Sequence, residues 1–249
     1  GSFKDRGMTV ALSMALHNGS KAVICASTGN TSASAAAYAA RAGIQAFVLI
    51  PEGKISVGKL AQAMMHGAKV VQLGGNFDNA MDIVKRISHE AEVTLVNSVN
   101  PFRLQGQKTA AFEVIDELES VPDYHFLPVG NAGNISAHWM GYVEYVKAGI
   151  TRTKPRMVGC QAANAAPFLV GAPIENPETI ATAIRIGNPQ SWDLANTAVN
   201  ESDGWFRGFD DNKILSAQKM LADQCGIFCE PASAVAIAGF CDEMEKGNI

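Results

Sequence analysis

Short apolar runs alternate with longer segments of helical periodicity along almost the whole of this chain of 249 residues. The apolar runs predict seven strands, at residues 22–26, 46–50, 69–73, 94–96, 125–128, 157–160 and 226–229. The periodic segments predict eight helices, at residues 6–16, 32–41, 58–66, 78–90, 106–118, 135–146, 211–224 and 232–246. Parallel strands need a crossover helix between them, so this alternation predicts an α/β fold in which helices cover both faces of mainly parallel sheets.

The spacing of these units predicts two three-layer α/β/α domains. The early units follow one another closely, whereas the later part of the chain has longer excursions, the largest being residues 164–200. We therefore expect a small domain over residues 1–100 and a larger one over residues 101–249. The chain opens with Gly1, and no strand is predicted after its last helix. We expect a fragment that lacks both termini, with the larger domain incomplete at its C-terminus.

Composition excludes several classes of function. A formal net charge of -4 argues against nucleic-acid binding, and no apolar run approaches the roughly 20 residues that span a bilayer. The cysteines are odd in number and irregularly spaced, which argues against a disulfide framework or a zinc site and favours small buried residues of a reducing cytoplasm. The histidines are scattered, so none predicts a metal ligand. The cysteines are Cys25, Cys160, Cys225, Cys229 and Cys241, and the histidines are His17, His66, His89, His125 and His138.

Lys4 opens a predicted helix within Gly-Ser-Phe-Lys-Asp-Arg-Gly, where Ser2 or Asp5 could provide the cap. The helix dipole disfavours a cation at this end. Such a lysine either turns out to solvent or is neutralised by chemistry, for example by bonding to an aldehyde. From the local sequence alone, an exposed lysine at the start of a helix is the simpler interpretation.

A turn rich in hydroxyl groups, Ser-Thr-Gly-Asn-Thr from Ser27 to Thr31, joins a predicted strand to an alanine-rich helix. Hydroxyls and free amides at a helix N-terminus suit a carboxylate. Asn30 can also donate its side-chain amide to an oxygen on an aromatic ring. A helix that is merely well capped is an equally good interpretation of this turn.

A second loop between a strand and a helix has the sequence Gly-Asn-Ala-Gly-Asn, from Gly130 to Asn134. Its glycines would free the backbone to direct successive N–H groups at one anion, such as a single phosphate. The loop lacks the Lys-Ser/Thr of a P-loop and the three-glycine spacing of a dinucleotide fingerprint. An ordinary tight turn is the alternative.

The segment Asn-Ser-Val-Asn-Pro-Phe-Arg follows another predicted strand and contains Asn97, Ser98 and Arg103. Arginine offers a planar fork suited to phosphate, and parallel sheets bind ligands at the carboxyl ends of their strands. Taken alone, Arg103 is more simply interpreted as a surface residue.

In this order along the chain, these motifs resemble the fold-type-II pyridoxal-phosphate enzymes, whose fold is that of the tryptophan synthase β-subunit. The resemblance is strongest to the threonine synthases and covers essentially the whole chain. It includes two further motifs, Thr-Ile-Ala-Thr-Ala-Ile-Arg-Ile-Gly from Thr179 and Glu-Pro-Ala-Ser-Ala from Glu230, whose roles the sequence does not reveal.

The resemblance implies a role for each candidate residue. Lys4 is expected to hold pyridoxal 5'-phosphate as a Schiff base and to act as the acid and base, and Asn30 to donate to the phenolic oxygen of the cofactor. Residues of one loop are expected to bind the cofactor phosphate: Gly130, Asn131, Ala132, Gly133 and Asn134. The substrate carboxylate is expected at Ser27, Thr28 and Thr31, and the substrate phosphate at Asn97, Ser98 and Arg103.

The implied activity is that of a lyase that converts O-phospho-L-homoserine and water into L-threonine and phosphate, the last step of threonine biosynthesis. The resemblance also implies a homodimer and a partner for the pyridine nitrogen beyond residue 249. A threonine or serine dehydratase of the same fold is the first alternative, although those enzymes usually have a glycine-run phosphate loop and a Ser-Gly-Asn-His turn. The second alternative is a relative that binds ligand but has lost catalysis.

Overall fold

The chain divides into two compact units, Gly1–Gln107 and Lys108–Ile249, each built around its own parallel sheet. A computed structural model describes residues 1–51, 57–74 and 77–249. Among these residues, no helix is long and apolar enough to cross a membrane, and no group of His, Cys, Asp and Glu side chains could hold a metal ion.

The sheet of the first unit has four parallel strands in the order β3-β2-β1-β4. Their bounds are β1 Ala22–Ala26, β2 Gln45–Pro51, β3 Lys69–Leu73 and β4 Val93–Leu95. Every residue of the central β1 is buried, as expected for a parallel strand covered on both faces. In the register, Ala22 pairs with Gln45 on one side and with Val93 on the other.

Helices cover both faces of this first sheet. Their bounds are α1 Lys4–His17, α2 Asn30–Ala42, α3 Val57–Met65, α4 Phe77–Glu90 and α5 Pro101–Gln107. Met8 of α1 and Ala35 of α2 pack with Cys25 on one face, whereas Val84 of α4 packs with Ile24 on the other. The unit is therefore a three-layer α/β/α structure.

The second unit has the same layered plan around three parallel strands in the order β5-β6-β7. Ile214 and Val235 belong to the core on one face of this sheet, and Ile115, Ile135 and Val199 to the core on the other. The strands are β5 Tyr124–Pro128, β6 Arg156–Ala162 and β7 Trp205–Phe209. The helices are α6 Thr109–Leu118, α7 Gly133–Lys147, α8 Pro167–Val170, α9 Trp192–Glu201, α10 Asp211–Cys225 and α11 Pro231–Glu245, with a 3-10 turn at Thr182–Ile184.

Six of the seven predicted strands are confirmed, and the seventh is wrong. Residues 226–229 form no strand: Gly226 ends α10 with a φ of 65°, and the Ile227 N–H donates to the Leu221 carbonyl at 3.1 Å. Phe228 is left 87% exposed. The real third strand of this sheet is β7, which the sequence prediction missed.

Three further predictions need correction. The helix predicted at residues 106–118 is two helices, α5 and α6, because Asn100 starts a separate helix by accepting the Phe102 N–H at 2.9 Å. The segment predicted to be irregular, residues 164–200, contains α8, the 3-10 turn and most of α9. Of the cysteines expected to be buried, only Cys25 and Cys160 are, and Cys225 is exposed.

Candidate active site

The carboxyl edge of the first sheet brings two of the predicted motifs together. β1 and β4 are parallel neighbours, so the residues that follow them lie side by side. The Asn97 Oδ1 accepts the Ala26 N–H at 2.9 Å, and its Nδ2 donates to the Ala26 carbonyl at 2.8 Å. This amide therefore extends the pairing of the two strands and retains one N–H for a ligand.

The turn after β1 ends in the N-terminus of α2. Ser27 Oγ accepts the Gly29 N–H at 3.1 Å, and Ser32 Oγ donates to the Gly29 carbonyl at 2.7 Å. The helix begins at Asn30, so the N–H groups of Asn30 and Thr31 lie in the first turn, where a helix offers them no acceptor. An anion such as a carboxylate is a suitable partner for these groups.

Lys4 is the first residue of α1, and the helix start around it is tied to α2. Ser2 Oγ accepts the Lys4 N–H at 3.2 Å, and Asp5 accepts both the Ser2 N–H at 3.1 Å and the Ser34 hydroxyl at 2.6 Å. Ser2 and Asp5 therefore hold the start of α1, although neither is its N-cap residue, which is Phe3. Lys4 Nζ lies 3.9 Å from the centre of the Phe3 ring.

A polar cleft of about 200 Å³ lies where the N-termini of α1 and α2 approach each other. It brings the start of the Lys4 helix and Asn30 to one place in the first unit. Its lining includes Ser2, Asp5, Asn30, Ser34, Tyr38 and Arg41.

Arg103 is a buried cation. Arg103 is only 1% exposed, so its interpretation as a surface residue is wrong. Nη1 donates to the Val96 carbonyl at 2.9 Å, while Nε has no hydrogen-bond partner, and no carboxylate of the described residues pairs with the guanidinium. Burial lowers the pKa of Arg103 to about 10, an effect that the nearby Cys25 opposes. A buried unpaired charge is costly, so an anion at the carboxyl end of β4 would stabilise this arginine.

In the second unit, the loop of residues 130–134 connects β5 to the N-terminus of α7. The residue in the left-handed conformation is Ala132, with a φ of 65°, and neither of the two glycines has a positive φ. Gly130 is needed instead for close packing, because a Cβ there would lie 2.8 Å from the Ile184 Cα. The N–H groups of Gly133 and Asn134 lie in the first turn of α7, where the helix dipole favours an anion.

The two asparagines of this loop direct their side chains to the protein. Asn131 Oδ1 accepts the Gln190 N–H at 2.8 Å, and Asn134 Nδ2 donates to the Pro128 carbonyl at 2.5 Å. Both side chains therefore hold the shape of the loop. The N–H groups of Gly133 and Asn134 at the start of α7 suit an anion such as a single phosphate group.

A cluster of titratable side chains that the sequence did not reveal lies next to this loop. His138 Nδ1 donates to the Asn134 carbonyl at 2.8 Å, and the His125 ring meets the His138 ring edge to face at 5.0 Å. His125 Nδ1 is 2.7 Å from the Tyr142 hydroxyl. Burial, assisted by the charge of His138, lowers the pKa of His125 to about 3. His125 is therefore neutral at physiological pH.

Replacing His125 by glutamine is expected to reduce the acid sensitivity of the second unit. The folded-state pKa lies below the ordinary value of 6.5, so the unfolded chain takes up the proton first as pH falls from 6.5 toward 3. The wild type should lose roughly 3 kcal/mol more stability than His125→Gln between pH 7 and pH 4. Tryptophan fluorescence measures this unfolding, because Trp139, Trp192 and Trp205 all lie in the second unit.

His17→Gln provides the control for this measurement, since His17 is exposed in α1. We expect its pH dependence to match that of the wild type. Equal acid sensitivity of the wild type and His125→Gln would contradict the depressed pKa of His125.

Comparison with known proteins identifies the family. The family model described as "Pyridoxal-phosphate dependent enzyme" matches residues 1–249. The chain belongs to this pyridoxal-phosphate-dependent family. It is 57% identical to a threonine synthase of Synechocystis sp. over 99% of this chain and 64% of that protein. It is also 57% identical to a threonine synthase of Mycobacterium tuberculosis, over 99% of this chain and 69% of that protein.

A third relative, of slightly lower identity, is also a threonine synthase. A threonine synthase of Methanocaldococcus jannaschii is 54% identical over the full chain, which spans 64% of that protein. The resemblance to threonine synthases stated from the sequence is thus confirmed. The chain spans about two thirds of the length of each of these relatives.

Solved structures confirm the predicted fold class. The processed form of threonine deaminase isoform 2 from Solanum lycopersicum superposes with a TM-score of 0.82 over 100% of this chain and 68% of that one, at 23% identity. Maize serine racemase superposes with a TM-score of 0.81 over 96% of this chain and 71% of that one, also at 23% identity. At this level of identity, the likeness concerns the fold alone.

In each unit, some of the described residues suit a chemical group of pyridoxal phosphate. The second unit offers backbone N–H groups at the start of α7, directly after the left-handed Ala132. The first unit offers a lysine amine at the start of α1 and the Asn30 amide at the start of α2. An amine, an amide donor and an anion cradle are the groups that an aldehyde, a phenolic oxygen and a phosphate require.

Proposed function

We propose that this chain is part of a threonine synthase, which converts O-phospho-L-homoserine and water into L-threonine and phosphate. The observation that carries the proposal is the identity of 54–57% with threonine synthases over 99–100% of the chain. The matched regions cover both units of this chain.

The number of anion sites supports this substrate over those of a dehydratase. A pyridoxal-phosphate enzyme needs one site for the phosphate of its cofactor, and the loop before α7 suits that group. Arg103 provides a second positive site in the other unit, without a carboxylate partner among the described residues. A substrate that carries its own phosphate requires a second site, whereas threonine and serine do not.

Lys4 and Asn30 are assigned to the cofactor ring. When bound, pyridoxal phosphate withdraws electrons from the substrate carbons and so makes their protons removable. In the proposal Lys4 Nζ would hold the cofactor through its aldehyde, and the same amine would accept the proton of the substrate α-carbon and later return one. The Asn30 amide donates to the phenolic oxygen and orients the ring.

The remaining residues are assigned to the anionic groups. Gly130, Asn131, Ala132, Gly133 and Asn134 form the loop that holds the cofactor phosphate through backbone N–H groups. Ser27, Thr28 and Thr31 hold the substrate carboxylate at the N-terminus of α2. Asn97, Ser98 and Arg103 hold the substrate phosphate, and the guanidinium stabilises that group as it leaves the γ-carbon. In the balanced reaction the β-carbon loses one proton, the γ-carbon gains one in place of the phosphate, and water supplies the hydroxyl at the β-carbon.

We also propose a homodimer in the cytoplasm, on the basis of the resemblance to threonine synthases. The five cysteines support a reducing compartment, because all of them are free thiols. Sedimentation of the purified protein would determine its oligomeric state.

A direct assay tests the proposed activity. The protein is loaded with pyridoxal phosphate and incubated with O-phospho-L-homoserine, and we expect phosphate and threonine in equal amounts. Parallel incubations with threonine and with serine test the dehydratase alternative, which would yield a 2-keto acid and ammonia. Cofactor binding without any product from the three substrates would instead support a relative that has lost catalysis.

Replacing Arg103 by alanine is expected to raise KM for O-phospho-L-homoserine about 10- to 100-fold, since a hydrogen bond to a charged group contributes about 1.5–3 kcal/mol. Steady-state kinetics measure this change, and inorganic phosphate should inhibit the variant correspondingly less. Arg86→Ala is the control, because Arg86 is an exposed arginine on α4 of the same unit. An unchanged KM in Arg103→Ala would remove Arg103 from the substrate site.

A further inference from the structure

A segment of the second unit that has no role in the proposed reaction packs against the loop of residues 130–134. We call residues 179–191 the strap; they contain the motif that begins at Thr179. Ile184 of the strap lies so close to Gly130 that a Cβ on the glycine would be 2.8 Å from the Ile184 Cα. At the far end of the strap, the Gln190 N–H donates to Asn131 Oδ1 at 2.8 Å and the Ser191 N–H donates to the Asn131 carbonyl at 3.3 Å.

The other end of the strap is anchored on α10. Asp211, in the first turn of that helix, accepts the Thr179 hydroxyl at 2.6 Å and the Ile180 N–H at 3.1 Å. Thr179 Oγ1 in turn accepts the Ala181 N–H at 3.0 Å. Thr179 and Ala181 are both buried, so these bonds are shielded from water. A carboxylate at this end of a helix is itself favoured by the helix dipole.

The middle of the strap is fixed by a backbone contact. The Ile174 N–H donates to the Gly187 carbonyl at 3.0 Å, and a Cβ on Gly187 would lie 1.8 Å from the Ile174 carbonyl oxygen. The strap is thus held at its start, middle and end, and two of its contacts fall on consecutive residues of the loop, Gly130 and Asn131.

The loop needs such support because of Ala132. An alanine in the left-handed conformation costs conformational free energy, and it persists only where the surrounding structure holds it. The strap binds both backbone and side chain of the preceding residue, Asn131. It also blocks movement of Gly130. These contacts oppose relaxation of the loop to an ordinary turn.

We propose that the strap holds this loop in its anion-binding conformation, and that Thr179 and Asp211 act as positioning residues for the cofactor phosphate without touching it. The inference rests on the proposed assignment of residues 130–134 to that phosphate. It gives a role to the motif at Thr179, which the proposed reaction leaves without one.

The test compares two ligands that differ only in the phosphate. The protein is titrated with pyridoxal phosphate and with pyridoxal, and both dissociation constants are measured by absorbance. The ratio of the two dissociation constants measures how much the loop contributes to binding of the phosphate group. In Thr179→Val, which keeps the shape and removes the hydroxyl, we expect this ratio to fall about tenfold, the effect of one hydrogen bond to a charged group. The affinity for pyridoxal should not change.

Three further variants separate positioning from folding. Thr179→Ser restores the hydroxyl and should restore the ratio, and Thr182→Val changes an exposed threonine of the same strap and should leave it unchanged. Asp211→Asn keeps one acceptor oxygen and should show a smaller decrease, which provides a second measurement if Thr179→Val does not fold. Tryptophan fluorescence verifies that each variant is folded.

The outcomes distinguish the two proposals. If the wild type prefers pyridoxal phosphate but Thr179→Val and Asp211→Asn keep the full preference, the strap has no positioning role and the loop assignment stands. If both variants weaken the two ligands equally, the strap supports the fold in general and the inference is overturned. If the wild type binds both ligands equally well, the loop does not hold the phosphate and both proposals fail.

Discussion

Replacing Lys4 by alanine is expected to lower kcat for threonine formation by about 10⁴-fold, the upper end of the range for loss of an acid–base group, because the same amine also carries the cofactor. The variant should lose the covalent bond between Nζ and the cofactor aldehyde. Treatment with borohydride followed by mass spectrometry measures that bond directly, and steady-state kinetics measure kcat. Pyridoxal phosphate should still bind, since its phosphate is assigned to the other unit.

Two controls show whether the chemistry or the charge of Lys4 matters. Lys4→Arg keeps a cation over the Phe3 ring but cannot bond to an aldehyde, so it should be as inactive as Lys4→Ala. Lys21→Ala removes an exposed lysine, paired with Glu92 at 2.6 Å, and should leave kcat unchanged. A small exogenous amine should partly restore the activity of Lys4→Ala. Retention of a tenth of wild-type kcat by Lys4→Arg would exclude Lys4 from the reaction.

Among the predicted strands, β1 has the most regular pattern. β1 was located to the residue because all of Ala22–Ala26 are apolar and buried, which is the pattern of a central parallel strand. The strand β7 was missed for the opposite reason. In Trp205–Phe209 an arginine and a glycine interrupt the apolar pattern. Its identity as a strand comes from pairing with β6, which is not local in sequence.

The segment of residues 226–229 shows how a local pattern fails. Gly-Ile-Phe-Cys is apolar enough for a strand, yet none of the described strands pairs with it. Gln218 Nε2 instead donates to the Cys229 carbonyl at 2.6 Å, and the turn after α10 takes up the Ile227 N–H. A strand requires a neighbour, and apolar composition alone does not supply one.

In the candidate site, the sequence located the motifs but not the physical reasons for them. The loop before α7 was predicted from its glycines, although its unusual conformation belongs to Ala132. The hydrogen bond between Asn97 and Ala26 joins residues far apart in the chain, so no local pattern could predict it. The same holds for the burial of Arg103, which depends on how α5 packs against α1.

The packing of α1 against α5 makes Gly106 a position where one methyl group is expected to have a large structural effect. A Cβ on Gly106 would lie 2.0 Å from the Arg6 carbonyl oxygen and 2.8 Å from the Gly7 Cα. On the other helix, a Cβ on Gly7 would lie 2.6 Å from the Arg103 carbonyl oxygen. The two backbones are therefore in direct contact, and neither can yield as a flexible side chain would.

Gly106→Ala is expected to destabilise the first unit by about 3 kcal/mol, the upper part of the range for overpacking, because helix backbones must separate to admit the methyl group. The separation displaces Lys4, two residues before Arg6, relative to Arg103, three residues before Gly106. A displacement of about 1 Å at reacting groups can reduce the rate roughly 100-fold, so kcat/KM should fall by at least that factor. Thermal unfolding monitored by circular dichroism and steady-state kinetics measure the two effects.

Gly58→Ala is the matched control, since Gly58 lies exposed in helix α3 of the same unit and a Cβ there meets nothing within 4 Å. Alanine is favoured over glycine in a helix by about 1 kcal/mol, so this variant should be at least as stable as the wild type and fully active. If Gly106→Ala were equally stable and active, the close contact between α1 and α5 would not exist in the protein. This contact would then not fix the position of Lys4 relative to Arg103.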